Sequence, residues 1–264
     1  MATITSTHNP VVKYVRSLER AQTRKTEGVY LIEGVRLVRE ALAHRQEATL
    51  VLYDPDLLSR STSGSLLLTE LPTWAERSYH VDERVLAAAA QTETPAGVVA
   101  VLRRRQPEPL ARHAHDRFGL ILDRLSDPGN GGTILRTSNA AGVGYVVSLA
   151  GSVDLFSPKV VRAGMGAHFR LALYPGVGWD EIGATLPDVT LVGIDARGPE
   201  SIYGFDWPER TGLVVGSEAH GLSTEAETQV AHRVRIPMRS GVESLNAATA
   251  ASIVIYAALG PSIP

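Results

Sequence analysis

The chain has 264 residues, 44% of them hydrophobic but only 6% aromatic, with a formal net charge of −2. That is enough apolar material for one large or two modest domains with aliphatic cores. The absence of cysteine excludes disulfides, thiolate metal sites and a cysteine nucleophile. The longest apolar run, Ala247–Leu259, is interrupted by Thr249 and Ser252 and falls short of the roughly 20 residues a membrane span needs. With no apolar core of signal-peptide length at the N-terminus, a soluble cytoplasmic protein is expected.

Residues 8–25 predict a helix with Val11, Val12, Val15 and Leu18 on one face. The same stretch holds Lys13, Arg16, Arg20, Arg24 and Lys25 against Glu19 alone. Such a basic face suits a phosphate backbone; a solvated helix surface explains it equally well. A strand at 29–33 stops at Gly34, a helix follows at 35–44 and a second strand at 48–54, while 59–73 is poor in pattern and reads as a loop. Strands at 78–81 and 97–102 flank a helix at 82–91, so residues 1–105 form a small α/β domain. Arg103–Arg117 brings two prolines, dense charge and little apolar content. This marks a linker, placed at 106–117, whose arginines suit either RNA contact or a solubilising hinge.

The second domain, 118–264, carries nearly continuous apolar strands at 118–123, 144–150, 190–195, 211–216 and 234–237. Helices fall around 131–141, 158–166, 179–186 and 223–231, and an apolar helix at 244–259 ends the pattern. Together they predict a parallel sheet with crossover helices. Charge follows the same division, with 14 Lys and Arg against 12 Asp and Glu in 1–105 and 12 against 16 beyond it.

Three stretches sit where strands should stop, the place where open α/β sheets bind ligands. In the first, Asp123 closes a strand, Asp127–Asn130 makes a turn, and Gly131 and Gly132 lead into a helix. Exposed amides there can hold an anion, and an ordinary strand-to-helix turn uses the same residues. Arg136 and Asn139 follow on that helix; the arginine fork suits a phosphate or carboxylate, and a plain surface arginine is the alternative. In the second, Gly216 ends a strand, where it admits close approach to the backbone, and Glu218 follows as an acceptor or a solvated turn residue. In the third, Ser244 opens the last helix as a candidate N-cap, and Asn246 stands in its first turn with an amide that needs partners. The eight histidines show no metal-ligand spacing, and no metal is expected.

Taken in order, N…GxxxRT, GSE..G and IPM…SLN resemble the three motifs of the SpoU/TrmH family of S-adenosylmethionine-dependent RNA ribose 2′-O-methyltransferases, over essentially all of 118–260. TSTHNPVVKYVRSL, YLIEGVRLVREAL and TETPAGVVAVL resemble that family's substrate-binding domain, which looks like RNA-binding ribosomal proteins. The layout is similar to rRNA methyltransferases, including the thiostrepton- and nosiheptide-resistance enzymes. The resemblance implies an α/β SPOUT domain with a deep trefoil knot, a rare exception to unknotted topology, and a homodimer through that domain. It implies S-adenosylmethionine as cofactor and large-subunit ribosomal RNA as substrate. Asn130, Arg136, Glu218, Ser244 and Asn246 match the catalytic and structural polar positions, and Gly216, Ile236 and Leu245 match positions that contact the cofactor. Gly131 stands where the family often has a larger apolar residue, and Ala219 where glycine is common. The alternatives are a tRNA 2′-O-methyltransferase, a non-catalytic RNA-binding dimer on the same scaffold, and a small-molecule enzyme using the glycine loop for a phosphate.

Overall fold

Asn9 and Pro10 start the first helix as their chemistry dictates: the Asn9 side chain accepts from the Val11 amide at 2.8 Å, and proline occupies the first turn. The computed structural model describes residues 2–92 and 94–260. It divides into two compact units, the first running to Arg105 and taking in Phe156–Phe169, the second formed by Gln106–Leu155 and the chain from Arg170 onward.

The first unit contains β1 (Ala2–Ile4), α1 (Pro10–Ser17), α2 (Ala21–Glu27), β2 (Val29–Glu33), α3 (Val35–Ala43), β3 (Ala48–Tyr53), α4 (Pro55–Ser59), α5 (Thr62–Trp74), β4 (Ser78–Val81), α6 (Glu83–Ala89) and β5 (Val98–Arg103). Its mixed sheet has the order β1-β4-β3-β5-β2. Val12, Val15 and Leu18 meet Leu50, Leu52, Val99 and Val101 in the core.

Two expectations are corrected here. The helix expected over 8–25 breaks at Leu18–Arg20. The break is held by Arg24, whose Nη1 donates to the carbonyls of Leu18 and Glu19, each at 2.6 Å. Arg24 is only 4% exposed, so it leaves the basic face, where Lys13, Arg16, Arg20 and Lys25 remain exposed. The stretch 59–73 is not a loop. Asp54 caps α4 by accepting from the amides of Asp56 and Leu57, and Ser61 caps α5 by accepting from Gly64. Leu67 and Leu71, one turn apart, are buried. Gly64 is required because a Cβ there would run into the Leu58 carbonyl.

The linker stretch is also more than a hinge. Arg103 ends β5 and pairs with Glu76 at 2.6 Å, and Arg104 lies over the Phe156 ring at 4.4 Å. Leu110 is buried in the core of the second unit.

The second unit holds β6 (Phe118–Leu122), α7 (Pro128–Ala141) and β7 (Tyr145–Leu149). After α8 (Pro158–Gly164), which belongs to the first unit, it continues with β8 (Ala172–Val177), α9 (Trp179–Thr185), β9 (Thr190–Ile194), β10 (Glu200–Ser201), β11 (Thr211–Val215), α10 (Thr224–Gln229), β12 (His232–Arg235) and α11 (Ala247–Leu259). The sheet order is β10-β12-β9-β11-β6-β7-β8, and every pairing is parallel. Two edge strands escaped the sequence pattern. β10 is two residues long, and β8 contains Pro175, which only an edge tolerates. β12 begins two residues earlier than expected, and α11 begins at Ala247 rather than Ser244. No helix among the described residues is long and apolar enough to cross a membrane.

Candidate active site

Four neighbouring strands, β12, β9, β11 and β6, run parallel, so their carboxyl ends share one edge of the sheet. The three sequence stretches follow β6, β11 and β12. At the first, Asp127 accepts from the Asn130 amide at 2.8 Å and caps α7, with Pro128 opening the helix. The expected turn is therefore already helix, and Asn130 stands in its first turn rather than outside its mouth.

Glu218, just beyond β11, ties this helix start to the second stretch. Its Oε2 accepts from the Ser126 amide at 3.2 Å and the Ser126 hydroxyl at 3.0 Å. Its Oε1 accepts from the Asp127 amide at 3.1 Å and Asn130 Nδ2 at 2.9 Å. Burial alone would push this carboxyl up. The hydrogen bonds from Asn130 and from the backbone amides of Glu218 itself, Ser126 and Asp127 outweigh it and hold the group at about 2. Asn130 passes the connection on: its Oδ1 accepts from Asn246 Nδ2 at 2.9 Å. Asn246 Oδ1 in turn accepts from the amides of Ala248 and Thr249. Asn246, not Ser244, is thus the N-cap of α11. One chain of side-chain contacts joins all three stretches.

Beside this junction lies a cleft of about 580 Å³, lined by Ile194–Arg197, Val215–Leu222, Glu227, Arg233, Ile236, Met238, Glu243–Leu245, Ala247 and Ala250. The three expected cofactor contacts, Gly216, Ile236 and Leu245, all line it, as do Ser244 and Glu218. Gly216 has a second reason to be glycine. Ser217 and Gly221 exchange backbone hydrogen bonds, and a Cβ on Gly216 would run into the Gly221 carbonyl.

Arg136 stands apart from the junction. Six residues after Asn130, it lies about 240° further round α7, exposed, its side chain making no hydrogen bond or ion pair among the described residues. Two participants were not singled out in the sequence. Ser126 holds Glu218, and Asp195–Arg197 follows β9 into the cleft. The signal for the latter was present: TLVGID ends on an aspartate just as FGLILD does. No group of three or more His, Asp or Glu among the described residues could hold a metal ion.

Residues 117–256 match the SpoU rRNA methylase family, and residues 9–100 match the MRM3-like substrate binding domain. An uncharacterized tRNA/rRNA methyltransferase of Synechocystis sp. is 35% identical over 267 residues, covering 98% of this chain and 93% of that protein. The 23S rRNA (uridine(2479)-2′-O)-methyltransferase of Streptomyces viridochromogenes is 30% identical, covering 97% of this chain and 91% of its own. The solved structure of an AdoMet-bound rRNA methyltransferase from Sinorhizobium meliloti superposes with a TM-score of 0.86 at 26% identity, over 99% of this chain and 98% of that one. With its motifs joined at one edge of a parallel sheet and the match extending through both units, this chain belongs to the SpoU rRNA methylase family.

Proposed function

We infer that this protein transfers a methyl group from S-adenosylmethionine to a ribose 2′-hydroxyl of RNA, with large-subunit ribosomal RNA as substrate. The observation that carries the reading is the Glu218–Asn130–Asn246 junction, which ties the end of β6 to the segments after β11 and β12 that wall one cleft. The cleft suits the donor. Its volume lies within the ~300–1,000 Å³ usual for small-molecule sites. Val215, Ile236, Met238 and Leu245 offer apolar surface for a purine. Asp195, Glu218, Glu227 and Glu243 outnumber Arg197 and Arg233, which favours a cationic ligand.

The donor supplies an electrophilic methyl group on a sulfonium. Gly216, Ile236 and Leu245 would hold it against the strand ends. Glu218, Asn130 and Asn246 would keep the surrounding loops in one arrangement, and alignment of this kind is worth up to roughly 7–11 kcal/mol. Arg136 would orient the attacking ribose. The return of α11 onto α7, where the Thr137 and Ser252 hydroxyls meet at 2.9 Å, supports a deep trefoil knot closed by the chain after β12. Tyr256, 46% exposed on α11, supports a homodimer that covers this helix.

The test is methyl transfer from labelled S-adenosylmethionine to unmodified 23S rRNA, 16S rRNA and tRNA, followed by mapping of 2′-O-methylated positions. Label at a ribose of 23S rRNA is expected. Transfer to tRNA alone would overturn the substrate, and transfer to none of them would leave the non-catalytic reading.

The first unit would hold the RNA. Replacing Lys13, Arg16, Arg20 and Lys25 with Gln should flatten the salt dependence of RNA binding, by about 0.7 in log K per log salt for each single-strand phosphate no longer neutralised. Arg24→Ala should instead lower the melting temperature, through loss of its buried bonds to Leu18 and Glu19, and leave the salt slope intact. An unaltered slope in the fourfold variant would move the RNA surface elsewhere.

A further inference from the structure

Asp123 is 1% exposed and sits where β6 ends, its amide donating to the Val215 carbonyl at 2.8 Å. Its one side-chain hydrogen bond among the described residues is accepted by Oδ2 from the Ser223 amide at 2.7 Å. A carboxylate taken out of water at a strand end is costly without a donor, and an apolar residue would finish β6 more cheaply. The position of that one donor shows what the carboxylate accomplishes.

Ser223 closes the loop that begins at Gly216, and every residue from Gly216 to Leu222 lines the cleft. Ser223 also caps α10, its Oγ accepting from the Ala226 amide at 3.1 Å, and Glu227 of α10 lines the cleft as well. The loop is fastened at its middle by Glu218, which reaches across to Ser126, Asp127 and Asn130. Asp123 fastens its far end from the opposite direction. The β6 and β11 ends thus exchange carboxylates: each strand's following segment presents one acid to the other's amides. With Glu218 as the sole anchor, the segment 219–223 and the start of α10 would keep the packing of Leu222 and Ala226 in the core, but among the described residues their only polar side-chain tie to the β6 end would be the exposed pair between Arg124 and Glu225 at 2.8 Å, and exposed pairs of that kind contribute little.

We propose that Asp123 is a positioning residue of the methyl-donor cleft, acting through the Ser223 amide to hold the 216–222 wall; this rests on the function proposed above. What matters is an acceptor oxygen at that place, not the charge. Asp123→Asn keeps the oxygen and removes the charge. Asp123→Glu keeps the charge and carries it one methylene too far. Asp123→Ala removes both.

Calorimetric titration of the full-length protein with S-adenosylmethionine separates these effects. Expected are near-normal affinity for Asp123→Asn and dissociation constants raised about tenfold, equivalent to about 1.4 kcal/mol, for Asp123→Glu and Asp123→Ala. The turnover at saturating donor and the KM for RNA should change little. Amide hydrogen exchange should quicken over 217–223 in the weakened variants while α1–α6 stay as protected as in the wild type. Affinity in Asp123→Ala and Asp123→Glu equal to the wild type, or an Asn variant as weak as the Glu variant, would overturn the proposal. Should Asp123→Ala fail to fold, the Asn and Glu variants decide alone. A wild-type protein that binds no donor would count against the proposed function instead.

Discussion

Arg136→Ala is expected to lower methyl transfer by about 10²–10³-fold, the range for loss of one oriented group acting on developing charge, while donor affinity stays close to normal. The separation follows from where Arg136 stands. It does not line the cleft, so its replacement leaves the donor's surroundings intact. It is exposed on α7 and its side chain makes no hydrogen bond or ion pair among the described residues, so its loss removes little from the fold. In the proposed reaction it would meet the substrate. A ribose hydroxyl is a weak nucleophile until its proton leaves, but a guanidinium has no free lone pair with which to act as a base. Its fork is suited to gripping the phosphate beside the ribose and turning the hydroxyl toward the methyl. Arg136→Lys keeps the charge without the fork and should remain at least about tenfold impaired. Single-turnover transfer and calorimetry with the donor check both variants. Turnover within about threefold of wild type in Arg136→Ala would remove the residue from the reaction.

The parallel sheet was legible because its central strands are buried on both faces and read as unbroken apolar runs, as in FGLIL at Phe118–Leu122 and TGLVV at Thr211–Val215. The edge strands were not, since β8 carries Pro175 and is buried only at Leu173 and Val177. In the first unit, the residues that defeated the reading act across breaks that no helical period marks. Nothing local marks Arg24 as the cap of a preceding helix; it reads as one more cation on a basic face until the fold brings Leu18 and Glu19 to it. α5 carried its start signal in Ser61, but Gly64 and Pro72 obscured the Leu67–Leu71 spacing. The site was legible as three motifs and not as a junction. That Glu218 is held by Ser126, or that Asn246 caps α11 while donating to Asn130, depends on which strands are neighbours. The sheet order supplies that information, and no spacing along the chain contains it.

Glu218→Ala should be the other severe variant, and through a different route. The carboxylate uses both oxygens, one for the Ser126 amide and hydroxyl, the other for the Asp127 amide and Asn130. Removing it leaves four donors seeking water and frees Asn130, and with Asn130 the tie to Asn246. Donor affinity and turnover should therefore fall together, about 10²-fold in kcat/KM, or roughly 2.7 kcal/mol of lost transition-state binding. Glu218→Gln retains one acceptor oxygen; its amide can donate to the Ser126 hydroxyl but not satisfy the Ser126 amide, which places it between Ala and wild type. The charge itself can be tested by pH. With the folded carboxyl held at about 2 against an ordinary value of 4.5, Glu218 stays ionised throughout the working range, and the acid limb of the rate profile should be the same in wild type and Glu218→Gln. Stability behaves differently at low pH. A depressed folded-state pKa contributes stability that is fully present above the ordinary value and lost as pH falls toward the folded one. The gap in melting temperature between wild type and Glu218→Gln should be constant above about pH 5 and close progressively between pH 4.5 and 2. A gap that persists undiminished at pH 2 would mean that the hydrogen bonds around Glu218 do not depend on its charge, and that the junction is held by shape alone.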